Sequence, residues 1–284
     1  MIYSLEEFKV LSELYLKNAK QYVFLSSARV YADAYDEMIT EKHPRLLDVS
    51  EDEVYLNTNE YALEKAREED ILLNGEKKNF TIIRPYITYN DERLQLGILE
   101  KEAWLFRALR GKTIIFSKDI AEKMTTLTYG YDVALKIAEL IGKNYSFGEI
   151  YHIATSKSIQ WREVLNIYLN TIEQCIGNSP KVIMLDKCDS YSCKIAPYQL
   201  KYDRLYNRHF NNMKIVHDIN DIKEFVVPQE GLKTCLTNFI SGERKFLGID
   251  WKREGVFDRI SGEKESIESI PGIKNRIKYI LYRY

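Results

Sequence analysis

Glycine is missing from the first 74 of the 284 residues, and Gly75 is the first of only 13. This excludes, from that stretch, the Gly-rich strand-to-helix turn whose backbone N–H groups meet a dinucleotide pyrophosphate. No G-x-G-x-x-G occurs later. Cysteine is scarce too: Cys175, Cys188, Cys193 and Cys235 show no metal-type spacing, which leaves reduced thiols as the simplest reading. Four scattered histidines (His43, His152, His209 and His217) argue against a metal site. Charge of either sign is nearly balanced at a net −1, so nothing overall draws the chain to nucleic acid or anionic lipid. No apolar run reaches the ~18 residues of a membrane span, and the opening residues lack a basic-then-apolar leader pattern. The cytoplasm is therefore the expected location.

What is present is the composition of a folded protein, with 45% hydrophobic and 29% charged residues. Apolar spacing predicts a helix over 5–18, a short buried strand Tyr22–Leu25 and a second helix from about Glu60 to Leu73. Thr58 and Asn59 are expected to cap that second helix, and Asn74-Gly75 to end it. The polar stretch 33–57, broken by Pro44, reads as a long loop. The strand Phe80–Ile83 then completes a parallel crossover unit. Helices are expected near 100–110, 131–141, 161–176 and 229–239, with strands at 113–116, 149–153 and 181–185. The alternation predicts an α/β fold, and the periodicity weakens after about 186.

Chemistry concentrates in Tyr61-Ala-Leu-Glu-Lys65, with Ser27 upstream at the end of the first strand. Residues four apart share a helix face, so Tyr61 and Lys65 can address one site. An ammonium beside a phenol favours the phenolate and makes the tyrosine a usable acid/base for a sugar or alcohol hydroxyl. Ser27 could hold the same hydroxyl.

In this order the residues resemble the extended short-chain dehydrogenase/reductases, the NAD-dependent epimerase/dehydratase family acting on nucleotide sugars. Phe24-Leu-Ser-Ser-Ala-Arg-Val-Tyr31 resembles the strand carrying the catalytic Ser or Thr, which falls on Ser27, and Tyr61 with Lys65 matches the Y-x-x-x-K pair. Arg84-Pro-Tyr-Ile-Thr-Tyr89 resembles the segment whose backbone packs against the nicotinamide. The segments 105–116, 131–134, 148–153 and 228–232 resemble later family elements. The resemblance implies an incomplete Rossmann-like, doubly wound parallel sheet over 1–180, lacking its amino-terminal βαβ units. A smaller α+β substrate lobe, with a basic tail, is expected over 181–284.

It further implies Ser27, Tyr61 and Lys65 as catalytic residues, with Lys65, Tyr61, Arg84, Pro85, Tyr86 and Ile87 against NAD or NADP. Tyr61 would carry the proton as hydride passes between a sugar carbon and the nicotinamide. The family's 4,6-dehydratases place Asp and Glu where this chain has Ala28 and Arg29, which favours epimerisation or reduction over dehydration. Ile87 stands where members that clamp a nucleotide diphosphate often have Asn. Expected partners are a nucleotide sugar, a separate polypeptide carrying the Gly-rich loop and a second copy of the chain, with no nucleic acid. On this reading the chain is a truncated or split enzyme; the alternative is a non-catalytic remnant serving as a binding or scaffold module.

Other polar residues have duller readings. His152 lies in an apolar strand and is expected to be a hydrogen-bonded structural residue, and Arg84 has no expected catalytic role of its own. Cys188 and Cys193 read as loop thiols, and Trp104 and Trp161 as helix faces packed on the sheet. The run 272–284 has Lys274, Arg276, Lys278 and Arg283, no acid, and Ile273, Ile277, Ile280 and Leu281 at helical spacing. A helix packed on its own domain or a partner is favoured there over one lying on a membrane surface.

Overall fold

The computed structural model describes residues 4–192, 196–220, 224–243 and 245–284. The chain forms two compact units that interleave along the sequence. The first comprises Met1–Thr88, Thr126–Ser158 and Tyr206–Pro228, and the second Tyr89–Thr125, Ile159–Leu205 and Gln229–Tyr284. The expected boundary at 180/181 falls inside a segment of the second unit.

In the first unit the strand Phe80–Pro85 lies between Tyr22–Leu25 and Glu149–Ile153, parallel to both. Alternating residues of these strands face opposite ways, and each face has a helical cover. Phe24, Phe80 and Ile82 pack with Phe8 and Leu16 of the Leu5–Asn18 helix and Leu72 of the Tyr61–Asn74 helix. Ile83, Tyr151 and Ile153 pack with Val133 and Leu140 of the Gly130–Leu140 helix. The parallel α/β arrangement read from the sequence is the one observed.

The Tyr61–Asn74 helix starts one residue later than expected, and neither Thr58 nor Asn59 caps it. Glu60 does, its carboxylate accepting from the Ala62 N–H at 2.7 Å, while Thr58 Oγ1 accepts from the Glu60 N–H at 3.3 Å. The stretch 33–57 is more ordered than the expected loop. Met38–Ile39 pairs in parallel with His209–Phe210, and Leu46–Val49 and Glu53–Leu56 are single helical turns, the second capped by Asp52. A two-residue strand has no readable period, and its partner lies far along the chain.

In the second unit Ile114–Ser117 pairs in parallel with Val182–Leu185. Trp104, in the Lys101–Ala108 helix, stacks on Tyr168 of the Trp161–Ile176 helix at 4.4 Å between centroids. Gly177 closes the latter helix at φ 79°, a left-handed conformation glycine adopts without strain. Besides the expected helix, seen over Pro228–Ser241, the carboxyl-terminal region holds Trp251–Ser261 and Ile273–Arg283. Cys188 and Cys235 are buried free thiols and Cys175 is exposed, while Cys193 lies outside the described residues. Among the described residues no helix is long and apolar enough to cross a membrane.

Arg107 anchors this unit. It is fully buried and donates to the Thr113 carbonyl, Glu254, Asp258 and Glu263, each at 2.8 Å. Lys112 adds a second cation, 2.8 Å from Asp258 and 3.1 Å from Glu265. Carboxylates outnumber cations, and Glu254 bears the consequence: burial pushes its carboxyl up to about 7, against the pull of Arg107. A carboxyl whose folded value exceeds its unfolded value near 4.5 stabilises the fold fully below pH 4.5, and that contribution is lost as pH rises through 7. Glu254→Gln is therefore expected to flatten the stability profile, removing on the order of 3 kcal/mol of the decline between acid and pH 8. Urea unfolding of both proteins at pH 5 and pH 8 measures this; parallel profiles would contradict the assignment.

Candidate active site

Ser27 follows the strand Tyr22–Leu25 and caps a short 3-10 turn, Ala28–Val30, its hydroxyl accepting from the Arg29 N–H at 3.2 Å. The side chain is buried, where a hydroxyl keeps a fixed direction. Tyr61 is the first residue of its helix and 47% exposed, so its ring stands at the surface of the first unit. Lys65 lies one turn on. Its ammonium is 2.8 Å from Glu68 and 4.8 Å from the centre of the Phe24 ring.

Two contacts bring these residues into one neighbourhood. The Arg29 guanidinium lies 5.3 Å from the centre of the Tyr61 ring and 2.5 Å from Glu60, the residue capping the Tyr61 helix. Lys65 rests on Phe24, three residues before Ser27. The turn after the first strand and the start of the helix are thus joined on both sides of Ser27. Among the described residues, no hydrogen bond links the Ser27 hydroxyl, the Tyr61 hydroxyl and the Lys65 ammonium directly. The cation on the Tyr61 ring is Arg29, while Lys65 is neutralised by Glu68. A cation on an aromatic face contributes about 0.5–1 kcal/mol at such partly exposed sites.

Beneath the site sits Glu69, fully buried and two turns beyond Tyr61. Its carboxylate accepts from Ser26 Oγ at 2.5 Å, from Arg84 Nε at 2.8 Å and Nη2 at 2.6 Å, and from Arg45 Nη1 at 3.3 Å. Arg84 is consequently buried, its guanidinium 4.8 Å from the Tyr31 ring centre. Pro85 is half-buried and Tyr86 and Ile87 are buried, with Tyr86 against Phe210 at 5.1 Å. His152 is buried and hydrogen-bonded, in agreement with its structural reading. The Asn211 carbonyl, 2.6 Å from Nε2, can only accept, so Nε2 carries the proton and Nδ1 accepts from the Tyr31 hydroxyl at 3.3 Å. Burial pushes this imidazole down, which keeps it neutral.

Sequence reasoning missed Glu69, Glu60 and the contact of Arg29 with Tyr61. The spacing Tyr61–Lys65–Glu69 places all three on one helix stripe, and that stripe was the available signal.

Comparison with solved structures agrees with this architecture. The chain superposes on UDP-glucuronic acid 4-epimerase from Bacillus cereus, in complex with UDP-glucuronic acid and NAD, with a TM-score of 0.61 and 15% identity over 83% of this chain. It spans 66% of that protein's length, just under two thirds. dTDP-glucose 4,6-dehydratase from Bacillus anthracis, in complex with NAD, gives a TM-score of 0.61 and 17% identity over 84% of this chain and 68% of the other. UDP-N-acetylglucosamine 4-epimerase from Methanobrevibacter ruminantium M1, in complex with UDP-N-acetylmuramic acid, gives 0.63 and 16% over 84% and 68%. No family model and no curated protein matches the sequence. The chain has the fold of the NAD-dependent nucleotide-sugar epimerases and dehydratases.

Because Arg84 and Glu69 are both desolvated, removing one leaves the other charged and unanswered. Glu69→Ala is expected to cost about 3–5 kcal/mol in urea unfolding, and Ser26→Ala about 1 kcal/mol. A Glu69→Ala loss below that of Ser26→Ala would remove Glu69 from its central place.

Proposed function

We propose that this chain contributes the catalytic part of an NAD(P)-dependent nucleotide-sugar epimerase or reductase. The observation that supports it most is the joining of the Ser27 turn to the head of the Tyr61 helix through Arg29 and Glu60, at the carboxyl end of a parallel strand. Ligands of open α/β sheets bind at those ends.

The described residues fit such a cofactor at one end. A buried Ser27, a surface Tyr61 and a partly covered Lys65 suit a nicotinamide ribose and the sugar oxygen beside it. No glycine precedes Gly75, so residues 1–74 offer no Gly-rich cradle for the pyrophosphate. When bound, the nicotinamide supplies the hydride acceptor and donor. Tyr61 takes and returns the proton of the sugar hydroxyl, and Ser27 fixes that oxygen by hydrogen bonding. Lys65 would bind the ribose hydroxyls, exchanging Glu68 for them, and the backbone of Arg84, Pro85, Tyr86 and Ile87 would pack against the nicotinamide. Arg29, in a position where a dehydratase would need an acid, points to epimerisation or reduction.

A separate polypeptide carrying a Gly-rich loop is the partner we propose for the phosphate-binding turn. Among the described residues Tyr22–Leu25 is an edge strand of its sheet, and an open cleft of about 830 Å³, lined by Lys20, Gln21, Val23, Ile141 and Phe147, lies in the same unit. An edge strand of apolar residues without proline favours a further strand. The cytoplasm, with its nucleotide sugars and reducing conditions, is the proposed setting.

Two measurements test this reading. Isothermal titration of the 284-residue chain is expected to show NAD and NADP binding weaker than roughly 100 μM, since the charge-assisted contacts to the pyrophosphate are missing; micromolar affinity would refute the missing cradle. At saturating NAD, NMR of UDP-sugar mixtures should reveal slow epimerisation, or with NADH supplied slow reduction of a UDP-keto-sugar, that Tyr61→Phe lowers by at least about 100-fold. Turnover indifferent to Tyr61→Phe would sink the catalytic assignment.

A further inference from the structure

The helix Ile273–Arg283 is held to the second unit by its polar side. The Tyr279 hydroxyl, buried, donates to Asp258 at 2.6 Å and accepts from the Glu265 N–H at 2.7 Å. Arg276 Nε donates to the Ile270 carbonyl and Arg283 Nε to the Glu263 carbonyl, at 2.9 and 2.8 Å. Gly255, in the Trp251–Ser261 helix, lets the two backbones meet: a Cβ there would come within 2.6 Å of the Tyr279 carbonyl oxygen. The apolar residues of the helix consequently face away. Ile273 is 73% exposed, Leu281 69% and Tyr284 82%, with Ile277 and Ile280 also exposed between them. At about 100° per residue these five fall on a single stripe.

Single exposed aliphatics are ordinary; four on one helix face, continued by Tyr284 at its end, are not. The charges beside the stripe identify what covers it. Lys274 and Lys278 flank it on one side, exposed and without an ion pair among the described residues. Arg276 and Arg283 flank it on the other, and the helix contains no acidic residue. Glu263 and Glu265, in the preceding segment, are bound to Arg107, Lys112 and Arg110, which leaves Glu268 as its exposed acid, next to exposed Lys264 in that segment. A second copy docked by the same stripe would bring like charges together with no acid on the helix to answer them. Anionic headgroups answer both features, since acyl chains take the isoleucines and phosphates take the lysines.

We propose that Ile273–Arg283 is an interfacial helix that seats the second unit on an anionic membrane surface, with Ile273, Ile277, Ile280 and Leu281 entering the acyl boundary. The helix lies in the plane of the interface and does not span it. Binding is reversible and salt-sensitive, because one short apolar stripe supplies only part of the affinity.

The test is flotation of the full chain with vesicles of phosphatidylcholine alone and of phosphatidylcholine with about 30% phosphatidylglycerol, at low and high salt. Preferential flotation with the anionic vesicles is expected. Ile277→Asp with Leu281→Asp should reduce it at least about tenfold, and Lys274→Glu with Lys278→Glu by a similar factor, lost again at high salt. All four positions are exposed, and unchanged circular dichroism and unfolding midpoints establish that the variants fold. Equal flotation on neutral and anionic vesicles, or variants that float like the parent, overturns the proposal. So does a dimer in equilibrium sedimentation that Ile277→Asp with Leu281→Asp dissolves, since the stripe would then be a self-association surface.

Discussion

The first unit depends on one buried carboxylate. Glu69 gathers Ser26 at the end of the first strand, Arg84 at the end of the second and Arg45 from the intervening segment. Each is a desolvated polar group that would be costly alone, so the two strand ends and the Tyr61 helix must arrive together or not at all. Residues adjacent to these anchors inherit their precision. Ser27 follows Ser26 directly, and Tyr61 and Lys65 lie on the same helix as Glu69. A candidate active site open to solvent thereby rests on a layer from which water is excluded.

The second unit solves the same problem with the charges reversed. Arg107 is a single buried cation shared by Glu254, Asp258 and Glu263, whereas Glu69 is a single buried anion shared by two arginines. The difference lies in how the surplus is disposed of. Arg45 also reaches Asp48 and Asp70, whose side chains remain partly in water. Glu254 has no such outlet. Asp258 has Lys112, Tyr279 and Arg107, and Glu263 has Thr113 and Ser261, so the proton settles on the acid with the fewest donors. The second hub is thus sensitive to pH near neutrality.

Which parts of this were readable in the sequence follows from how local each signal is. Helices and strands with a full period of apolar residues were legible to within a residue or two, because helix faces such as Val164, Leu165, Tyr168 and Ile172 are set by local spacing. Met38–Ile39 was illegible because its pairing with His209–Phe210 is non-local. The Trp251–Ser261 helix carries local punctuation, Asp250 capping its first turn and Gly262 at φ 74° ending it, but its charged interior hides the apolar period. Ser27, Tyr61 and Lys65 were legible as residue types in order. Glu69 was not, since an acid on a helix is ordinarily solvated, and the partners that let this one be buried, Ser26, Arg45 and Arg84, come from other segments of the chain.

The carboxyl-terminal helix shows the same limit from the opposite direction. Amphipathic spacing alone predicts that Ile273, Ile277, Ile280 and Leu281 turn inward. Four hydrogen bonds, made by three residues, prevent it. Rotating the helix by half a turn would withdraw Tyr279 from Asp258 and the Glu265 N–H, Arg276 from the Ile270 carbonyl and Arg283 from the Glu263 carbonyl. It would also set side chains against the backbone groove that Gly255 leaves open. Buried polar groups stripped of partners cost about 1–3 kcal/mol each, against roughly 1.5–3 kcal/mol for each aliphatic side chain fully buried. The two orientations are close enough in energy that hydrophobicity by itself does not choose between them. Asp258 does, because it is already committed to Arg107 and Lys112 and fixes where the tyrosine hydroxyl must go. The outward stripe is therefore a consequence of the buried charge cluster, and the helix face that meets the surroundings is set from the inside.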